Sequence, residues 1–131
     1  MASANVLIDT SVIIDFLRKK NKKDSLLWKV RENNQCYLSV ITLFELYAGA
    51  TSDEKQADVG KIAAWITPVE IDAVIAANAA MYFRNLKVQN RILEFRDLFI
   101  AATAVHHHFQ LATLNAKHFK RIKDLTLFVP A

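Results

Sequence analysis

Residues 6–8 read Val-Leu-Ile and stop on a carboxylate, Asp9. Three apolar residues in unbroken succession, two of them β-branched, read as a short strand covered on both faces. No other feature constrains the fold as much. Strands buried on both sides belong to parallel sheets, and a parallel sheet needs helical crossovers that cover it. Asp9 then stands at the carboxyl end of such a strand. Thr10 and Ser11 follow it, and a second apolar run, Val12-Ile13-Ile14, follows them. A carboxylate in that position is either a helix cap or a functional group.

The rest of the chain alternates as that strand requires. Thr10 or Ser11 caps a helix over 11–20, and a second helix covers 25–32. Cys36-Tyr37-Leu38-Ser39-Val40 reads as a strand, and Thr42 opens a helix that stops near Gly49. Val59, Ile62, Ala63 and Ile66 recur at helical spacing within 53–66, and Pro68 ends that helix. A short strand is expected at 69–71, then a long Ala-rich helix at 73–87 capped by Asp72, then a polar stretch at 88–94 that reads as a loop or a helix start. Phe95 to His107 is strongly helical. Strands at 111–113 and 125–129 flank a short helix at 116–122. Strands alternating with helices predict an α/β fold, a central parallel sheet flanked by helices on both faces. Ligands bind such sheets just beyond the carboxyl ends of the strands. Asp9 lies at one such end and Asn115 lies two residues past another, at Thr113. The 73–87 helix carries Ile75, Ala76, Ala79, Ala80, Phe83 and Leu86, which suit either a core or an interface.

Composition narrows the class. A chain of 131 residues is the size of one domain, spanning 1–131, and 53% hydrophobic with 23% charged residues suits a compact core. Two Gly and two Pro leave no room for long linkers. The opening residues lack the basic-then-apolar pattern of a signal peptide, and no apolar run approaches the ~20 residues that cross a bilayer. One cysteine, Cys36, cannot form an internal disulfide, so a cytoplasmic protein is expected. The net charge of +4 fits a phosphate-rich partner. Its basic residues gather in RKKNKK at 18–23 and in Lys117, Lys120, Arg121 and Lys123, either of which also reads as a solvated surface. Aromatics do not alternate with them, so no base-stacking platform is indicated.

Three carboxylates stand out, and each has an ordinary explanation. Asp9 suits a helix N-cap, although Thr10 and Ser11 cap equally well. Glu45 lies three residues after Thr42, the spacing of a capping box, yet it sits among Leu43, Phe44, Leu46 and Tyr47. Asp97 falls in the first turn of a helix, where the macrodipole favours acids. The run behind it, Leu98 to Ala104, is apolar or small, and an uncompensated carboxylate against such a helix is costly. Together they form a pattern: three acids, far apart in sequence, each at a strand end or helix start. If they converge they make a hard-oxygen site for Mg²⁺ or Mn²⁺. No Cys/His spacing suggests zinc. His106, His107 and His108 point in different directions on a helix and read as a helix end that favours cations. His118 lies near Asn115.

Four segments in order, LIDTSVIIDFL, SVITLFELYAG, RDLFIAATA and LATLNAKHF, resemble the PIN-domain ribonucleases, and more narrowly the VapC toxins of toxin–antitoxin pairs. The resemblance spans nearly the whole chain. It implies a single PIN-like domain and places the family's acidic residues on Asp9, Glu45 and Asp97 as metal ligands. The fourth position falls on Asn115, where many PIN domains carry aspartate; Asn115 is expected to act with the three acids but to hold a second ion less tightly. Thr10, Ser11 and Thr113 are expected to support the site, and Glu94 is a further candidate carboxylate. The resemblance implies metal-dependent hydrolysis of RNA phosphodiester bonds with Mg²⁺ or Mn²⁺, a homodimer, and inhibition by a VapB-like antitoxin. Lys117, Lys120 and Arg121 are candidate contacts to RNA phosphates. The alternative is a non-catalytic nucleic-acid or partner-binding module on the same fold, which would keep the basic blocks but need no metal. A phosphatase using Asp9 as nucleophile expects a second aspartate two residues on, where this chain has Ser11.

Overall fold

A computed structural model of the chain describes residues 3–130. Its strands are β1 (Asn5–Ile8), β2 (Gln35–Ser39), β3 (Thr67–Val69) and β4 (Gln110–Ala112). Its helices are α1 (Thr10–Arg18), α2 (Leu26–Asn33), α3 (Val40–Gly49), α4 (Asp53–Trp65), α5 (Ala73–Val88), α6 (Phe95–His107) and α7 (Ala116–Phe119). The strands form one sheet in the order β3-β2-β1-β4, with every pairing parallel.

The unbroken apolar run at 6–8 does what its pattern requires. Side chains alternate across a strand, so Val6 and Ile8 enter a core with Val12, Ile13, Leu27, Val30 and Ile62 from α1, α2 and α4. Leu7 points the other way, into a core built with Ile75, Leu86, Leu98, Ala101 and Leu111. All three residues are 0% exposed. Helices therefore cover both faces of the sheet, as expected. Cys36 is the buried strand thiol its neighbours suggested; burial pushes it up to about 11, against the opposing pull of Arg31, and leaves it unreactive.

Several boundaries differ from the sequence expectation. The strand expected at 69–71 lies at Thr67–Val69 and contains Pro68. It is an edge strand, the one place a sheet tolerates a residue without an N–H. Helix α3 starts at Val40, with the Ser39 side chain accepting from the N–H of Ile41, so Thr42 is no cap. The helix expected at 116–122 ends at Phe119. The strand expected at 125–129 shrinks to one parallel bridge, Leu127 to Leu111, with Phe128 N–H donating to Leu111 O at 2.8 Å. A 3-10 turn at Lys22–Asp24, which the sequence did not announce, precedes α2. Lys22 turns back there to donate to Phe16 O and Leu17 O at 2.7 and 2.8 Å, so part of the 18–23 basic block closes the end of α1.

The strand order positions the site. The chain steps outward from β1 to β2 to β3, then returns to the other side of β1 for β4. The topological switch point therefore lies between β1 and β4, where their carboxyl ends open a crevice. Asp9 ends β1, and Thr113 follows β4.

Candidate active site

Asp9 is 4% exposed. It occupies the N-cap position of α1, yet its side chain makes no capping bond. Its backbone N–H instead extends the ladder, donating to Ala112 O at 2.9 Å. Two hydroxyls converge on one carboxylate oxygen: Ser11 Oγ donates to Oδ2 at 2.8 Å and Thr113 Oγ1 at 2.7 Å. The same hydroxyls accept from the following loop, Ser11 Oγ from Leu114 N–H and Thr113 Oγ1 from Asn115 N–H. The end of β1, the start of α1 and the loop after β4 are thus tied together through the carboxylate. Among the described residues no cation stands within ion-pair distance of Asp9. The cap explanation fails, and a functional one remains.

Glu45 projects from the second turn of α3. With Thr42 inside the helix, no capping box forms. Thr10 Oγ1 donates to Glu45 Oε1 at 2.8 Å and lies 3.0 Å from Thr42 Oγ1. Thr42 is fully buried, so it works as a packed polar partner for Thr10. The other carboxylate oxygen, Oε2, accepts from Arg96 Nη1 at 2.6 Å.

Asp97 sits in the first turn of α6. Burial raises its carboxyl above the ordinary aspartate range, and repulsion from Asp9 adds to the rise. Arg96 opposes the shift, Glu94 reinforces it weakly, and His118 opposes it. Asp9, Asp97 and His118 therefore share one electrostatic neighbourhood, with Asp9 and Asp97 as mutually repelling acids. Arg96 Nε lies 3.3 Å from Glu94 and 3.9 Å from Asp97. Glu94, with a side chain 72% exposed, serves Arg96 and does not turn into the crevice.

The donor set is hard oxygen throughout, the chemistry that Mg²⁺ and Mn²⁺ prefer. Among the described residues, no three His, Cys, Asp or Glu side chains already stand in a common ligating arrangement. Asp9 and Asp97 face one another electrostatically, while Glu45 is held aside by its short contact with Arg96. The oxygen donors of Asp9, Asp97 and Glu45 fit a divalent cation in kind.

The PIN domain matches residues 6–125 of the sequence. The chain belongs to the PIN-domain family. Ribonuclease VapC1 of Methanocaldococcus jannaschii is 29% identical over 124 residues, covering 95% of this chain and 85% of that protein. Ribonuclease VapC1 of Rickettsia felis is 33% identical over 129 residues, with 92% of each chain covered, so this PIN domain is of the VapC ribonuclease kind. The solved structure of VapBC-1 from nontypeable Haemophilus influenzae contains a chain that superposes with a TM-score of 0.83 at 26% identity. That match covers 95% of this chain and 96% of the other.

The remaining expected residues of this PIN domain divide. Asn115 joins the network through its backbone N–H; its side chain is exposed and makes no capping bond to α7. Lys117, His118 and Lys120 are exposed on or just after α7. Arg121 is partly committed, since its Nη1 donates to Ile92 O at 3.0 Å. Two participants escaped the sequence reading, Thr42 and Arg96. Arg96 carried a signal nonetheless: a cation in the first turn of a helix opposes the macrodipole and needs nearby acids to hold it.

Proposed function

We propose that this PIN domain is a metal-dependent endoribonuclease acting in the cytoplasm, the toxin half of a VapBC-type pair. The observation that carries this is Asp9: a buried carboxylate with no cation beside it among the described residues, fixed by two hydroxyls at the switch point of a parallel sheet, beside a second acid that it repels. Such a pair is costly to keep unless a cation or a proton serves it. Asp9, Asp97 and Glu45 are the ligands for Mg²⁺ or Mn²⁺. A bound divalent ion supplies Lewis-acid charge to phosphodiester oxygens and acidifies water.

The chain's own residues do the positioning. Ser11 and Thr113 lock Asp9 through Oδ2, and Thr10 locks Glu45 through Oε1. The Asn115 amide stands at the rim. Lys117 and Lys120, exposed beside Asn115, suit the phosphates that flank the scissile bond. Arg121 suits that role less well while it holds Ile92.

The partner reading follows from the solved relative, which is a VapBC assembly: a VapB-like antitoxin binds this chain. A second copy binds it as well, across the apolar groove between α5 and α6 that Ala76, Ala80, Phe83, Phe95 and Phe99 line.

The test is cleavage of total cellular RNA by the wild-type chain and by Asp9→Asn, each with Mg²⁺, with Mn²⁺ and with EDTA. Asparagine can still accept from Ser11 and Thr113, so the fold survives, which circular dichroism checks. Cleavage is expected only with metal, and at least ~100-fold slower in the variant. If both proteins bind RNA equally and neither cuts it, the non-catalytic binding module is the correct reading.

A further inference from the structure

Arg96 stands where a cation ligand site would have to close. Its Nη1 lies 2.6 Å from Glu45 Oε2, and its Nε lies 3.3 Å from Glu94 and 3.9 Å from Asp97. It thereby joins α3 to the first turn of α6. Two of the acids it holds are enclosed, with the Glu45 side chain 18% exposed and Asp97 13%, while Arg96 itself is 53% exposed. The helix dipole repels a cation at that position, so the acids and not the helix determine where the guanidinium sits.

We infer that Arg96 is a resident counter-ion that competes with the divalent cation for Glu45, and so sets how tightly this site holds metal. The inference rests on the metal-dependent reading above. Both oxygens of Glu45 are taken, Oε1 by Thr10 and Oε2 by Arg96. A guanidinium and a hard divalent ion seek the same carboxylate oxygens. Glu45 cannot turn toward Asp9 and Asp97 without giving up the short contact to Arg96. Two positive groups at one cluster also repel each other, and Arg96 is the one that can leave, being long, flexible and open to solvent. The contact therefore holds Glu45 against the first turn of α6 without metal and lowers affinity for metal by the cost of breaking it.

The test is Mn²⁺ binding without RNA, read from the electron paramagnetic resonance signal of free Mn²⁺ at fixed ionic strength. Wild type, Arg96→Gln, Arg96→Lys, Asp9→Asn and a control, Lys29→Gln, are compared. Lys29 is exposed on α2, which packs on the face of the sheet opposite α6. Arg96→Gln is expected to bind Mn²⁺ about tenfold more tightly, the size of one unit charge removed a few ångström away under partial screening. Arg96→Lys keeps the charge but loses the planar fork, and should fall between. Lys29→Gln should leave affinity unchanged. If Arg96→Gln binds no more tightly than wild type while Asp9→Asn loses binding, Arg96 does not compete, and the metal site itself stands. If Asp9→Asn binds as well as wild type, or nothing binds, both the inference and the metal reading fall.

Discussion

Asp97 holds its proton more firmly than an ordinary aspartate, first because it is buried and second because Asp9 repels it. The sign of the consequence is fixed by linkage. A carboxyl whose folded pKa is raised binds more protons in the native state than in the unfolded one, so stability falls as pH rises from the unfolded value, ~3.9, through the folded value. Above that window the full penalty is present. Asp97→Asn should therefore melt higher than wild type at pH 7 without metal, and the difference should vanish below about pH 4. Scanning calorimetry at several pH values in EDTA checks this; a variant that melts lower at pH 7 would mean that hydrogen bonds to the carboxylate outweigh its desolvation. At this scale the three acids were legible because each interrupts an apolar pattern. The roles of their neighbours were not. The Thr42–Glu45 spacing suggested a capping box, and what defeated it was Ser39, a better-placed cap three residues earlier. Arg96 signalled a need for acids by its place in the helix, but its pairing with Glu45 was not legible, because Glu45 lies 51 residues away.

Helix α6 shows how an element can be right in extent and still carry unforeseen strain. Its bounds match the expected 95–107, since an apolar run of that length leaves little choice. Its end was read as three histidines serving the dipole. Instead His108 adopts a left-handed conformation, φ 58° and ψ 34°, so that the Phe109 N–H can return to Ala104 O at 2.8 Å. Glycine takes that conformation freely, whereas a residue with a Cβ pays roughly 1 kcal/mol. His108 is exposed, so its side chain offers little in return. His108→Gly should stabilise the fold slightly, by up to about 0.5 kcal/mol, after glycine's larger unfolded-state entropy is subtracted. Urea unfolding measures it, and a lower midpoint would show that the imidazole packs usefully. The strands were harder to bound for a related reason. β3 and β4 have three residues each, too few for periodicity to register, and Pro68 reads as a helix stop unless its edge position is known.

The whole molecule leaves one helix face unaccounted for. α5 buries Ile75, Ala79, Tyr82 and Leu86 in the core. Its outward positions are Ala73, Val74, Ala76, Ala77, Ala80 and Met81, all exposed, and its first charged residue is Arg84. A helix facing only water shows charge on its outer side. The sequence left this helix open between core and interface because apolar residues lie on both its sides along 73–83, and the fold uses one side for the core and leaves the other exposed. Phe83 and Phe95, 41% and 73% exposed, stand at the edges of the resulting groove. Small residues between large ones let a like helix approach closely, and a two-fold axis lets one apolar face cover its own copy. The chain alone should therefore run as a dimer at micromolar concentration in light scattering. Phe83→Glu, which places a charge in the groove without touching the buried side of α5, should run as a monomer with unchanged circular dichroism. A wild-type chain that is already monomeric would assign the α5 face to a different protein, and the antitoxin would then be the first to try.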